Sequence, residues 1–507
     1  MVEHCRGLLA GSATLALVMA AAAAPANAVV PNETTTPAEI VDTNDEFRGV
    51  GMFFRADGFV CTGTLINPRT VLFAAHCVND RRQTDYSSID GTVPAAFSFN
   101  VDARPGFQNW AANAFRSNSA LNVFNISQIQ YDPRSLLNPQ ALGFIEADIA
   151  LATLDTPAAR IPTWALLFTT LPAPESIDPE TGTGYHVNIV GYGATGNAAQ
   201  GAVGGIDFRR RAAENMLGGF LSLDDRNAVL FGAGSGLPQN LYQLDFDSQN
   251  RVPAFDVNVH RDDALPNEGI TAGGDSGGPL ILDAANNTLS DEDLVIGVLS
   301  GGSRFFGPQR FSSLGTTSFY QPLSLYWQYI AATNPYRYVG ARAGNGNWED
   351  AGHWVTLLDP AYRVIDAGGN VVNGLPTAPE LGLGGTGGDF GAVCVEFEAE
   401  GDGCVDVATG IFEETFTAPV VDAASEGGSI ELVNNRGAVS IDLITGGAAS
   451  GGAGASFAAA EITPQAEGDT LPAPTLANGL PGASGFVPDN IEPVIGDTAA
   501  GNVDPRY

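Results

Sequence analysis

Lysine is absent from the 507 residues: all 23 basic side chains are arginine, against 57 aspartates and glutamates. The formal net charge is therefore −34. A surface this negative repels phosphate backbones, which argues against nucleic acid as a partner and against docking on anionic lipid. Cysteine is scarce, at five residues, and charged residues make up only 16% of the chain. The low charge content and 44% hydrophobic residues exclude a highly charged disordered chain. Long apolar runs are missing beyond Gly7–Ala24, so no membrane span is expected in the remaining chain.

What is abundant is glycine and proline, 62 and 31 residues, which favours turn-rich β structure over helical bundles. The uncharged run ends at Ala26-Asn27-Ala28, a small–x–small pattern. Residues 1–28 therefore read as an export signal and residues 29–46 as a leader or pro-segment. Cys5 leaves with the signal, and Cys61, Cys77, Cys394 and Cys404 remain. An even count in an exported chain suggests two disulfides. Three pairings are open; proximity favours Cys61–Cys77 and Cys394–Cys404.

Short apolar runs punctuated by Gly, Pro and Asn read as strands of an all-β domain over 47–335. They are Val50–Phe54, Thr64–Ile66, Val71–Ala75, Ile149–Leu154, Val187–Tyr192, Leu280–Leu282 and Leu294–Ser300. A closing helix is expected over Ser324–Thr333, before the breaker Asn334-Pro335. The stretches Asp80–Asn118 and Ala194–Asn250 read as long loops. Beyond Pro335 the chain holds 24 acidic residues and 5 arginines. We divide it into a small β and loop module over 336–420, clipped by Cys394 and Cys404, and an acidic, Gly- and Pro-rich, β-prone or flexible region over 421–507.

Three segments carry chemistry. His76 sits in Ala74-Ala75-His76-Cys77, Asp148 opens an apolar strand, and Ser276 lies in Gly273-Gly274-Asp275-Ser276-Gly277-Gly278-Pro279. A serine hydroxyl needs a base to take its proton and a third group to orient that base. His76 suits the base, Asp148 the orienting group, and Ser276 the nucleophile. The N–H groups of Gly274 and Ser276 would receive the oxyanion.

These segments, with Cys61–Ile66, Val190–Gly193 and Val295–Gly302, resemble those of trypsin-like (chymotrypsin-fold) serine proteases. The resemblance covers roughly Phe47–Asn334. It implies two six-stranded barrels with the triad between them, Ser300 supporting Asp148, and Ser300–Gly302 aligning substrate backbone as an added strand. It also implies no cofactor or metal, and protein or peptide substrates. Gly-Asp-Ser-Gly-Gly equally fits the nucleophile elbow of α/β-hydrolases, but that fold places its histidine after the serine. Only His353 follows Ser276, beyond the domain boundary.

The chain departs from the family pattern at its start. No Ile-Val-Gly-Gly tetrad is present to pair with Asp275; Glu39-Ile40-Val41-Asp42 and Val29-Val30 are the nearest candidates. For the primary pocket, Ile270 would form the floor, Gly301 and Gly302 the walls, and Ser318 the back. That favours apolar or small side chains before the scissile bond, although Glu268 or Asp262-Asp263 in a shifted loop would favour basic ones. Arg209-Arg210-Arg211 reads as a solvated edge strand, and Asp245 and Asp247 as exposed strand residues. The C-terminal third, chiefly through Gly346-Asn347-Trp348, resembles bacterial autotransporter passengers, with a membrane barrel missing. The sequence expectation is thus an exported serine endopeptidase of a bacterium, in the periplasm, at the cell surface or outside the cell. The alternative is a latent, protease-like scaffold acting as an adhesive passenger.

Overall fold

The expected strand runs form strands in a computed structural model, which describes residues 29–415 apart from 88–90, 138–145, 250–257, 306–307, 336–337, 342–344, 346, 348–353, 358, 360, 396–401 and 411. In chain order they are β1 (Val30–Pro31), β2 (Val50–Arg55), β3 (Val60–Asn67), β4 (Thr70–Phe73), β5 (Ala95–Ser98), β6 (Val123–Tyr131) and β7 (Ala150–Leu154). Then follow β8 (Ala165–Leu167), β9 (His186–Gly191), β10 (Ala194–Asn197), β11 (Gly201–Ile206), β12 (Arg211–Met216), β13 (Gly219–Ser222) and β14 (Asn240–Leu244). Next come β15 (Gly269–Ile270), β16 (Pro279–Leu282), β17 (Leu294–Ser303), β18 (Thr317–Pro322), β19 (Tyr338–Ala341) and β20 (Trp354–Leu357). The last are β21 (Tyr362–Ile365), β22 (Val371–Asn373), β23 (Phe390–Val395), β24 (Asp402–Asp406) and β25 (Phe412–Thr415). Three helices are described: α1 (Arg104–Ala112), α2 (Leu223–Phe231) and α3 (Trp327–Thr333).

Strands β2 to β7 close into a barrel in the order β2-β3-β4-β7-β6-β5. Phe53, Phe73 and Phe97 fill it, each pair of ring centroids 5.5 Å apart. Met52 and Phe54 on the same strand pack instead against Phe107 and Trp110 of α1. Both faces of β2 are covered, so every residue of it is buried. The stretch expected to be a loop over Asp80–Asn118 thus holds β5 and α1, which seal one side of the barrel. Ala194–Asn250 likewise holds β10 to β14 and α2.

The second half follows the order β12-β9-β16-β17-β18-β14-β13, and the ladder continues through β23, β24 and β25. A second closed barrel was expected; among the described residues only the first closes. Where a ladder would join the two ends, a side chain does so. Asn215 Nδ2 of β12 donates to Asp245 O, just beyond β14, at 2.8 Å and to Gly269 O at 2.9 Å.

Two expected boundaries move. The segment 29–46, read as a leader, contributes to the core: Val29 and Val30 are fully buried, and Val30 pairs with Ile270. Asp42 accepts from Arg210 Nε at 2.7 Å within the interior. Arg210 and Arg211 are both fully buried, so of the arginine triplet only Arg209 is solvated. Asp207 neutralises Arg211 through two bonds of 2.9 Å. The region after 335 is no separate module either. Strand β21 pairs in parallel with β8, β23 pairs with β13, and the Tyr362 and Phe390 side chains enter the two cores. Cystines join Cys61 to Cys77 and Cys394 to Cys404, the second spanning a directly opposed pair of β23 and β24. The expected helix starts later than Ser324, after a 3-10 turn over Leu323–Leu325. Most of Arg342–Trp354, and all of 421–507, lie outside the described residues.

Candidate active site

Strand register explains why His76 meets Asp148 across 72 residues of sequence. Strands β4 and β7 are antiparallel with Phe73 opposite Ala150. Three residues beyond Phe73 the chain turns through Ala75–Cys77, and two residues before Ala150 stands Asp148. The cystine at Cys77 ties this turn back to β3. Asp148 Oδ1 accepts the His76 backbone N–H at 2.8 Å, and Asp148 Oδ2 lies 2.8 Å from His76 Nδ1. Ser300 of β17 donates its hydroxyl to the same Oδ2 at 2.6 Å. The carboxylate is wholly buried, and three donors replace the water it has lost. With Nδ1 toward the carboxylate, Nε2 is turned away from it.

Ser276 comes from the second half, in the loop before β16, and is 2% exposed. The two halves are stitched at this loop. Thr62 of β3 donates its N–H to Ser276 O at 2.8 Å and its hydroxyl to Gly274 O at 3.0 Å. Ala194 donates to Gly273 O at 2.6 Å, and Gly278 to Asp275 O at 2.8 Å. Four successive carbonyls are thus engaged by the scaffold, as a cradle built from N–H donors requires. Gly274 and Gly277 adopt φ of +99° and +83°. A Cβ at Gly277 would meet Thr62 O at 2.4 Å, so the loop needs glycine there for both conformation and space. The Asp275 carboxylate fixes the loop from beneath, accepting from Gly193 N at 2.7 Å and Ala272 N at 2.9 Å.

Between 43 and 203 the chain matches the Trypsin family model. Over 39 residues it is 49% identical to the snake venom serine protease LmrSP-4 of Lachesis muta rhombeata, a stretch that spans 8% of this chain and 74% of that protein. The chain belongs to the trypsin family of serine endopeptidases. The family match contains His76 and Asp148 and ends before Ser276, whose loop supplies the remaining motif.

A small cavity opens beside Ser276. Ile270, Gly301, Gly302 and Ser318, expected at the primary pocket, all line it. The remainder of the lining had no signal in the sequence and is mostly hydroxyl: Thr271, Ser303, Ser312, Thr316 and Thr317. Ile270 also packs into an apolar cluster with Val30, Phe246 and Leu314. The acids considered for a basic preference lie elsewhere. Glu268 accepts the N–H groups of Asp247 and Leu265, both at 2.7 Å, and Asp262 is buried away from the cavity.

Two groupings have the composition of metal sites. Cys61, His76 and Cys77 form one, but its thiols are joined as cystine and its imidazole faces Asp148. The other is Asp245, Asp247 and Asp262, with one oxygen from each within 4.8 Å of the others. Asp245 and Asp247 are 2% exposed, correcting their reading as surface residues. Burial, then the charges of Asp245 and Glu268, push the Asp262 carboxyl well above the usual range. That direction favours a proton shared within the cluster.

Proposed function

We propose that the chain is an exported serine endopeptidase that hydrolyses peptide bonds through an acyl-enzyme formed on Ser276. The observation that carries this reading is the buried hydrogen-bonded run from Ser300 through Asp148 to His76, set against the Ser276 loop. Ser276 Oγ attacks the carbonyl carbon of the scissile bond, and its proton passes to Nε2 of His76. The N–H groups of Gly274 and Ser276 receive the oxyanion that forms, each such donor being worth about 3–4 kcal/mol of barrier. Collapse breaks the C–N bond as His76 returns the proton to the leaving amine. Water then attacks the ester by the same route and restores the serine. Asp148 stays ionised and steadies the imidazolium in both halves of the cycle.

Export is supported by the signal pattern over residues 1–28 and by the two cystines. Cleavage after Ala28 would make Val29 the new terminus, and the burial of Val29 and Val30 beside Ile270 supports that position over Ile40. Ser276→Ala in the purified full chain tests the enzymatic reading. Hydrolysis of a denatured protein substrate falls by about 10⁶-fold while the circular dichroism spectrum is unchanged. Undiminished cleavage by the variant sinks the assignment.

A further inference from the structure

Arg226 is fully buried, and no carboxylate pairs with it among the described residues. It projects from α2, which Ser222 caps by accepting the Asp225 N–H at 3.0 Å. The other two fully buried arginines, Arg210 and Arg211, each have acids of their own. Among the described residues its hydrogen bonds go to neutral groups: Asn227 Oδ1 at 2.9 Å, Thr317 Oγ1 at 3.3 Å and Ser303 Oγ at 3.5 Å. The guanidinium also stands 5.2 Å from the Phe305 ring centre and 5.0 Å from that of Phe319. Burial alone lowers its pKa, to about 9, which leaves the cation charged at neutral pH. A buried cation held by hydroxyls and ring faces is poorly compensated, and an arriving anion would complete it.

Ser303 and Thr317 both line the cavity beside Ser276. The guanidinium therefore stands one hydroxyl layer behind the pocket wall. None of the residues lining the cavity is acidic. Two further arginines approach the same rim: the Arg304 guanidinium lies 4.3 Å from the centre of the Phe311 ring, which lines the cavity, and Arg310 is close enough to disfavour the charge on Arg304. In a chain with more than two acids for every base, this is a local reversal of sign.

We propose that the primary pocket selects an acidic side chain, aspartate or glutamate, before the scissile bond, with Ser303 and Thr317 donating to its carboxylate and Arg226 supplying the counter-charge behind them. The proposal rests on the serine endopeptidase reading and deepens it. Hydroxyls that now receive the guanidinium donors are polarised by them, and so become better donors to a carboxylate in front. A low-dielectric setting strengthens that field, and a neutral amide of the same shape would gain little from it.

The test uses full-length protein and fluorogenic peptides that differ only at the residue before the scissile bond: Glu, Asp, Gln, Leu, Phe, Ala or Arg. We expect kcat/KM for Glu or Asp to exceed that for Gln and Leu by at least about 10-fold. In Arg226→Met, which keeps bulk between the two rings, the Glu-to-Gln ratio should fall by about 10-fold or more. Labelling of Ser276 by an uncharged phosphonate should be unchanged in that variant. Thr317→Val, which removes one hydroxyl, should lower the same ratio and serves if Arg226→Met does not fold. A kcat/KM for Leu, Phe or Arg that equals or exceeds that for Glu and Asp, or an acid preference that survives both substitutions, overturns the acidic pocket and leaves the endopeptidase reading standing. Failure of the wild type both to cleave any peptide and to take the phosphonate overturns both.

Discussion

The two halves of the catalytic unit solve the same problem differently. The first is a barrel closed by its own strands around Phe53, Phe73 and Phe97, so it leaves no edge. The second leaves edges, and the chain after Asn334 occupies them: β21 beside β8 and β23 beside β13. The halves also divide the chemistry. The closed barrel supplies His76 and Asp148 from adjacent strand ends, whereas the open sheet supplies Ser276, Ser300 and the pocket. A closed frame thus holds His76 and Asp148, and the cavity lies in the half whose edges the later strands occupy.

The largest effect should come from the junction itself. Asp148→Asn keeps the shape but favours the wrong imidazole tautomer, and should lower kcat by about 10⁴-fold with little change in unfolding midpoint. Next, Phe390→Ala should strip the C-terminal strands from the second half. A loss of about 3–5 kcal/mol in urea unfolding is expected. An unchanged midpoint would mean that the region is merely appended. Replacing Cys61 and Cys77 together by serine should cost about 3 kcal/mol by the loop-entropy argument and depress activity, because His76 adjoins the cystine. The same exchange at Cys394 and Cys404 should leave kcat alone. Ser300→Ala removes one charge-assisted bond worth about 1.5–3 kcal/mol, so kcat should fall roughly 10- to 100-fold with KM little changed. The smallest effect concerns Asp262. Its raised pKa means that the folded chain holds a proton there which the unfolded chain releases near pH 4. Stability from this group therefore declines as pH rises above about 4. Asp262→Asn should lose less stability than the parent between pH 4 and pH 7, measured by urea unfolding across that range.

Strand positions and the segments around His76, Asp148 and Ser276 were legible because each is a local pattern. Alternating runs such as Val187–Tyr192 became β9, and Gly-Asp-Ser-Gly-Gly-Pro became the serine loop. What escaped notice depends on long-range partners. Arg210 and Arg211 looked like exposed charge, because Asp42 lies 168 residues from Arg210 and nothing local marks their burial. Asp245 and Asp247 alternate as surface acids do, yet the fold buries them against Asp262. The pocket shows the same limit. Ile270 lines the cavity, but its side chain is shared with a core cluster, and much of the hydroxyl lining comes from β17, β18 and the stretch between them. Arg226 is the clearest case: the hydroxyls it meets lie 77 and 91 residues away.

The central claim is that Ser276 is an assembled nucleophile. Treating the purified protein with a serine-directed phosphonate and mapping the adduct by peptide mass spectrometry tests it most directly. The account predicts a single adduct on Ser276, lost in Asp148→Asn and in Ser276→Ala. A folded protein that takes no label, or takes it on another serine with Ser276 unmodified, would contradict it.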